Sequence, residues 1–196
     1  MIDKYKKSNS ITKVGKPKNN LGFTVLESIV AIFVLTLAIS GAFSAVRQSL
    51  HQSTLSKEEV RAFYLAQEAV EIVRNRRDNN QLEKINGSTN SWLYGISSNV
   101  DDPCYFGKVC RVDASVSSPF AYCGSNEWGS CENIRQNSTD FRYGHNPSWT
   151  STNFKREIKL EQINSNEIAV IVRMTWSKGL TSKDFTVRTL LFNWIQ

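Results

Sequence analysis

The chain is poor in the residues from which active sites are assembled. Its 196 residues hold two histidines, His51 and His145, and neither has a nucleophile beside it in a recognisable motif. No glycine-rich loop of the phosphate-cradling kind occurs. The four cysteines form no C-x-x-C pair and have no histidine at ligand spacing, so zinc lacks a ligand set. The expectation is a protein that is not an enzyme and carries no cofactor or metal. Proline and charge are both missing from Ser28 to Val46. Acid is nearly missing from residues 1–22, where Asp3 stands against Lys4, Lys6, Lys7, Lys13, Lys16 and Lys18. What is present is 40% apolar residues with five Trp and ten Phe, enough for the core of one ordinary domain plus an appendage.

The formal charge of +6 would by itself suggest a nucleic-acid or anionic-membrane partner. Residues 1–22 carry +5 of it, which leaves 18 basic against 17 acidic residues, +1, for the rest. Basicity is thus a property of the tail, and nucleic acid is not the expected partner. Lysines ahead of an apolar span hold that end in the cytoplasm, so the tail reads as a targeting leader; a polybasic arm is the alternative.

The nineteen residues from Ser28 to Val46 would rise about 28 Å as a helix, close to a hydrocarbon core, before Arg47 closes the span. Ser40-Gly41 is a local weak point. Ser40-Gly41-Ala42 also offers the small residues that signal peptidase accepts, which keeps a signal peptide or plain anchor open. Glu27 fits neither well. A carboxylate near the start of such a helix costs about 2–3 kcal/mol unless a cation meets it. Lys18 is nine residues back, beyond Asn19-Asn20-Leu21-Gly22. A cut between Gly22 and Phe23 would create an amine on Phe23, about one helical turn from Glu27.

Gly22-Phe23-Thr24-Val25-Leu26-Glu27 ahead of a charge-free helix resembles the class III signal of type IV prepilins and of type II secretion pseudopilins. The resemblance implies that a prepilin peptidase cuts after Gly22 and that Phe23 becomes the N-methylated first residue. It also implies that Glu27 pairs with the terminal amine of a neighbouring subunit, setting axial register. Leu21 departs from the Lys or Arg often found before the glycine. The implied partners are other pilin or pseudopilin subunits, the peptidase, the inner membrane and the filament assembly machinery.

Beyond Arg47 the helical period continues as an amphipathic half. Ala62, Leu65, Ala66, Ala69, Ile72 and Val73 recur at three- and four-residue spacing, with Glu58 and Glu59 early and Arg74, Arg76 and Arg77 late. That ordering suits a helix stopping near Asp78-Asn79-Asn80, with the arginines as a solvated last turn. "LAQEA" (65–69) resembles the corresponding stretch of minor pilins and pseudopilins. Near the C-terminus the period changes to two: Phe154, Arg156, Ile158 and Leu160; Ile168, Val170, Val172, Met174 and Trp176; then Phe185, Val187 and Thr189 running into Leu190–Trp194. Breaks at Asn164-Ser165-Asn166 and Ser177-Lys178-Gly179 make these an antiparallel meander. The expected class is α+β, a long N-terminal helix packed on a C-terminal antiparallel sheet, which is also the pilin architecture that the resemblance implies. Its ending resembles V-type minor pilins and I-type minor pseudopilins. The expected segments are a cleaved cytoplasmic leader (1–22), a membrane or filament-core helix (23–46), its amphipathic half (47–78), a disulfide-bearing loop region (79–153) and the sheet (154–196).

All four cysteines, Cys104, Cys110, Cys123 and Cys131, fall in that loop region. An even count outside the membrane favours two disulfides. Three connectivities exist, and the short local loops favour Cys104–Cys110 with Cys123–Cys131. Trp92, Tyr94, Tyr105, Tyr122, Trp128, Tyr143 and Trp149 either pack these loops down or form a partner-binding face. Asn86-Gly87-Ser88 and Asn137-Ser138-Thr139 match glycosylation acceptors, read as accidental in a bacterial export context. Together these readings lead to an expected minor pilin-like subunit, made as a single-pass inner-membrane precursor and then built into a filament with its globular domain outside. The alternative is an anchored or secreted adhesion domain whose apolar segment is only a signal peptide or anchor.

Overall fold

The computed structural model describes residues 22–179 and 181–195. The lysine-rich leader, with Lys18 and Leu21, lies outside the described residues. Two units are distinguished, Met1–His51 and Gln52–Gln196. One helix, α1 (Val25–Ile85), contributes to both.

Thr24 opens α1: its Oγ1 accepts from the Glu27 amide at 3.3 Å, satisfying one of the free N–H groups of the first turn. In the first unit every described side chain is exposed, from Phe23 at 72% to Leu50 at 65%. In the second unit Ala62, Leu65, Ala66, Ala69, Val70 and Val73 form the buried stripe, while Ile72 stands at its edge. Three alanines stand in that stripe, which shares one core cluster with the inner face of the sheet.

The helix does not stop at Asp78-Asn79-Asn80 but continues to Ile85. Of that polar run Asn80 is buried while Asn79 is exposed: Asn80 Nδ2 donates to the carbonyls of Trp92 (3.1 Å) and Tyr94 (3.0 Å), and the Nε2 of the next residue, Gln81, to Asn193 Oδ1 at 2.6 Å. The true stop is Asn86-Gly87. Gly87 has φ 96°, its N–H donates to the Lys84 carbonyl at 3.0 Å, and that of Ser88 to Glu83 at 3.0 Å. This is the paired Schellman closure that glycine favours. The arginine cluster is likewise not all solvated. Arg77 is 8% exposed and its Nη1 donates to the Phe192 carbonyl at 2.6 Å, whereas Arg74 pairs with Glu71 at the surface (2.8 Å).

The sheet extends beyond 154–196. Strands β1 (Cys110–Val112) and β2 (Phe120–Tyr122) join β6 (Phe154–Asn164), β7 (Glu167–Lys178) and β8 (Thr181–Phe192) in the order β2-β1-β6-β7-β8. All its pairings are antiparallel. A second small sheet has β3 (Arg135–Gln136) between β4 (Tyr143–Gly144) and β5 (Thr150–Ser151). The β6–β7 ladder shifts register between Gln162 and Asn164, and the β7–β8 ladder runs unbroken from Glu167↔Phe192 to Lys178↔Thr181. The alternation expected for β7 is the observed one, with Ile168, Val170, Val172, Met174 and Trp176 all buried. Each such side chain contributes about 1.5–3 kcal/mol on leaving water.

Arg156 belongs to the buried face of β6 yet is charged. It is 0% exposed. Its Nη1 donates to the Leu65 carbonyl at 2.8 Å and to Glu68 Oε2 at 2.5 Å, and its Nη2 to the Val112 carbonyl at 3.0 Å. One guanidinium thus joins α1, β6 and β1. The next residue, Glu157, is 1% exposed and accepts from the amides of Gly129 (2.8 Å) and Cys131 (3.0 Å). Buried charges of this kind persist only when hydrogen bonds replace water.

Candidate processing and assembly segment

Gly22 and Phe23 precede the helix. A Cβ built on Gly22 meets nothing within 4 Å, so packing among the described residues does not require glycine there. Phe23 is exposed like the side chains that follow it. The arrangement leaves the Gly22-Phe23 bond in a non-helical stretch directly before the capped turn, sterically open among the described residues.

Glu27 lies in that first turn and forms an ion pair with no described residue. Thr24 and Glu27 stand at the N-cap and N3 positions of a T-x-x-E box. The same T-x-x-E pattern stands in the sequence at Thr24 and Glu27. A carboxylate at a helix N-terminus gains about 0.3–1 kcal/mol from the helix dipole. That offsets only part of the roughly 2–3 kcal/mol that insertion near the start of a membrane helix costs. Local capping therefore does not remove the need for a cation.

The following span has an 18-residue window of mean hydropathy 2.4, none of it buried, in a helix long and apolar enough to cross a membrane. The hydroxyl of Thr36 is satisfied inside the helix, donating to the Phe33 carbonyl at 2.8 Å. Ser40-Gly41 does not interrupt α1. Nothing lies within 4 Å of a Cβ on Gly41; no neighbour among the described residues makes the position small.

In the second unit the cysteines pair as Cys104–Cys110 and Cys123–Cys131. The first bridge is fully buried in the core. The second closes a loop tied to the sheet by Glu157, by Lys155 Nζ donating to the Gly129 carbonyl at 2.7 Å, and by Lys159 Nζ standing 4.9 Å from the Trp128 ring centre. Of the seven aromatics, Trp92 is in the core, Tyr105, Trp128, Tyr143 and Trp149 are half-buried, and Tyr94 and Tyr122 are exposed. Most of this set serves packing rather than one continuous face. Sequence reasoning also missed Asp113, which accepts from Ser115 N (2.8 Å), Ser115 Oγ (2.5 Å) and His145 N (2.6 Å). Burial raises its pKa, but those hydrogen bonds outweigh it and the net direction is down.

His145 is pushed down to about 4, by burial first and then by the charges of Arg111 and Arg156, against the opposing pull of Asp113 and Glu132. Both its ring nitrogens are buried without a hydrogen-bond partner. It is a neutral packed imidazole, with no nucleophile bonded to it. No group of three His, Cys, Asp or Glu side chains placed to hold a metal occurs among the described residues.

No protein-family model, no curated protein and no solved structure matches this chain.

Proposed function

We propose that this protein is a minor pilin-like structural subunit of a type IV pilus or a type II secretion-like filament. It is made as a single-pass precursor, cut after Gly22 by a prepilin peptidase, methylated on Phe23 and assembled through α1. The observation that carries the reading is the conjunction at one helix end: an open Gly22-Phe23 bond, a capped turn holding Glu27, which has no ion-pair partner among the described residues, and an apolar span uncovered by them. Cleavage supplies the cation that the carboxylate lacks, and Glu27 pairs with the amine of a neighbouring subunit. Support for a globular domain outside the cytoplasm comes from the two disulfides, which persist in oxidising compartments.

The test separates processing from assembly. Gly22→Val blocks cleavage, because a branched side chain stops the close backbone approach a protease needs. Glu27→Ala leaves cleavage intact and removes the protein from sheared filament fractions. Glu27→Ala protein recovered in filaments at the normal level would refute the register role.

A further inference from the structure

The two disulfides differ in what surrounds them. Cys104 and Cys110 are wholly buried members of the core cluster. The Cys104 N–H donates to the Ile96 carbonyl at 3.1 Å, and Cys110 stands opposite Tyr122 on one side and Ile158 on the other within the sheet. A reductant reaches that bridge only if strands part. Cys123 and Cys131 lie outside the cluster, and Cys123 is only half-buried. Between them Gly124, Asn126, Glu127 and Gly129 are exposed.

Both ends of this loop are fixed. The Cys123 N–H donates to the Val109 carbonyl at 3.0 Å and the Ile134 N–H to the Phe154 carbonyl at 2.8 Å, so the part free to move lies between residues 123 and 134. No backbone group of residues 124–133 bonds another backbone group among the described residues. Apart from the bridge, side chains hold the loop: Glu157 accepts from the amides of Gly129 and Cys131, Lys155 donates to the Gly129 carbonyl, Lys159 stands over Trp128, and Arg111 pairs with Glu132 at 3.3 Å. The Ser130 hydroxyl is buried with no partner among the described residues, a cost that lifting the loop removes.

We propose that Cys123–Cys131 is a redox-sensitive clasp, opened by a dithiol that leaves Cys104–Cys110 closed, and that its opening lifts residues 124–133 from Lys155, Glu157 and Lys159 of β6. One thiolate of the dithiol attacks Cys123 Sγ, the more accessible end; the S–S bond breaks and Cys131 leaves as a thiolate, which takes up a proton. The second thiol of the reagent, giving up its proton, displaces Cys123 in the same way. The dithiol ends as its own disulfide, and the protein has gained two electrons and two protons. With the bridge open, the loop depends on the two amides at Glu157 and on surface contacts of Lys155, Lys159 and Arg111. Segments held by few contacts near water are the first to open locally. Lifting uncovers the Glu157 carboxylate and frees those basic side chains. The clasp does not depend on the filament reading, since every residue of it lies in the second unit.

The full chain in detergent micelles, without denaturant, is treated with graded dithiothreitol, trapped with iodoacetamide at intervals and read by peptide mass spectrometry, with amide hydrogen exchange followed in parallel. Cys123 and Cys131 should be labelled at least about tenfold faster than Cys104 and Cys110. On their reduction the Gly129 and Cys131 amides should lose about tenfold or more of their protection, while the amide of Val172, in a strand paired on both sides, keeps its own. The variant carrying Cys123→Ser and Cys131→Ser should show the same loss without reductant, and no further change at those two amides when reductant is added. Labelling of all four cysteines at one rate, earlier labelling of Cys104 and Cys110, or no labelling short of unfolding would overturn the proposal. So would undiminished protection of Gly129 and Cys131 once their bridge is open.

Discussion

Arg156→Ala should destabilise the globular unit severely, and Arg156→Met far less. The guanidinium is wholly buried and its two terminal nitrogens serve Leu65, Glu68 and Val112. Truncation to alanine takes a donor from the Val112 carbonyl, at about 1–3 kcal/mol, takes a second donor from the Leu65 carbonyl, which keeps its bond within α1, and leaves a cavity where a long side chain stood, at about 2 kcal/mol more. Glu68 loses least, because its side chain is 38% exposed and water can reach it. About 4 kcal/mol is the reasonable sum, within the range for breaking a buried pair. Methionine keeps most of the volume and removes the buried charge along with its desolvation penalty, so about 1–2 kcal/mol remains for the carbonyls. Urea unfolding of the oxidised protein reads the difference: with a slope near 2 kcal/mol/M, alanine lowers the midpoint by about 2 M and methionine by less than about 1 M. Equal shifts for the two variants, or an alanine shift below about 0.5 M, would refute the clamp that joins helix and sheet through this side chain.

Acid should weaken the fold through His145. Its pKa is about 4 in the folded protein against an ordinary 6.5, so between those values the unfolded chain binds the proton and the folded one does not. The stabilisation is complete above about pH 6.5 and is lost as pH falls towards 4, about 1–2 kcal/mol after allowance for the ring's partial exposure. Urea midpoints at pH 7 and 4.5 measure it, and His145→Leu should flatten that difference. Gly144→Ala should cost about 1–3 kcal/mol, because strained packing has nowhere to relax: the added Cβ would stand 2.8 Å from Asp113 Oδ1 and 2.9 Å from Trp149 Cζ3. Thermal melts would check this, and an unchanged Tm would show that the β4 strand shifts freely.

Elements whose burial obeys one period were legible from the residues. The α1 stripe and the inner faces of β6, β7 and β8 follow from spacing alone, because an amphipathic repeat needs only one apolar side. The helix end is not legible locally. Asn79 and Asn80 look like a stop signal, yet Asn80 faces two carbonyls that arrive from residues 92 and 94, and no local pattern announces them. The same holds for Arg77, Arg156 and Glu157, whose partners are distant backbone groups. β1 to β5 carry no sequence signal, because two or three residues cannot display alternation. At the helix N-terminus the carboxylate was conspicuous and the capping threonine was not, although both belong to one motif.

The most direct test of the filament reading is the intact mass and N-terminal sequence of the mature protein extracted from membranes. The account requires a chain that begins at Phe23 with one added methyl group. A chain beginning at Phe43, as a signal-peptidase product, or one retaining Met1, as a plain anchor, would leave Glu27 without its proposed partner and contradict assembly by the prepilin route.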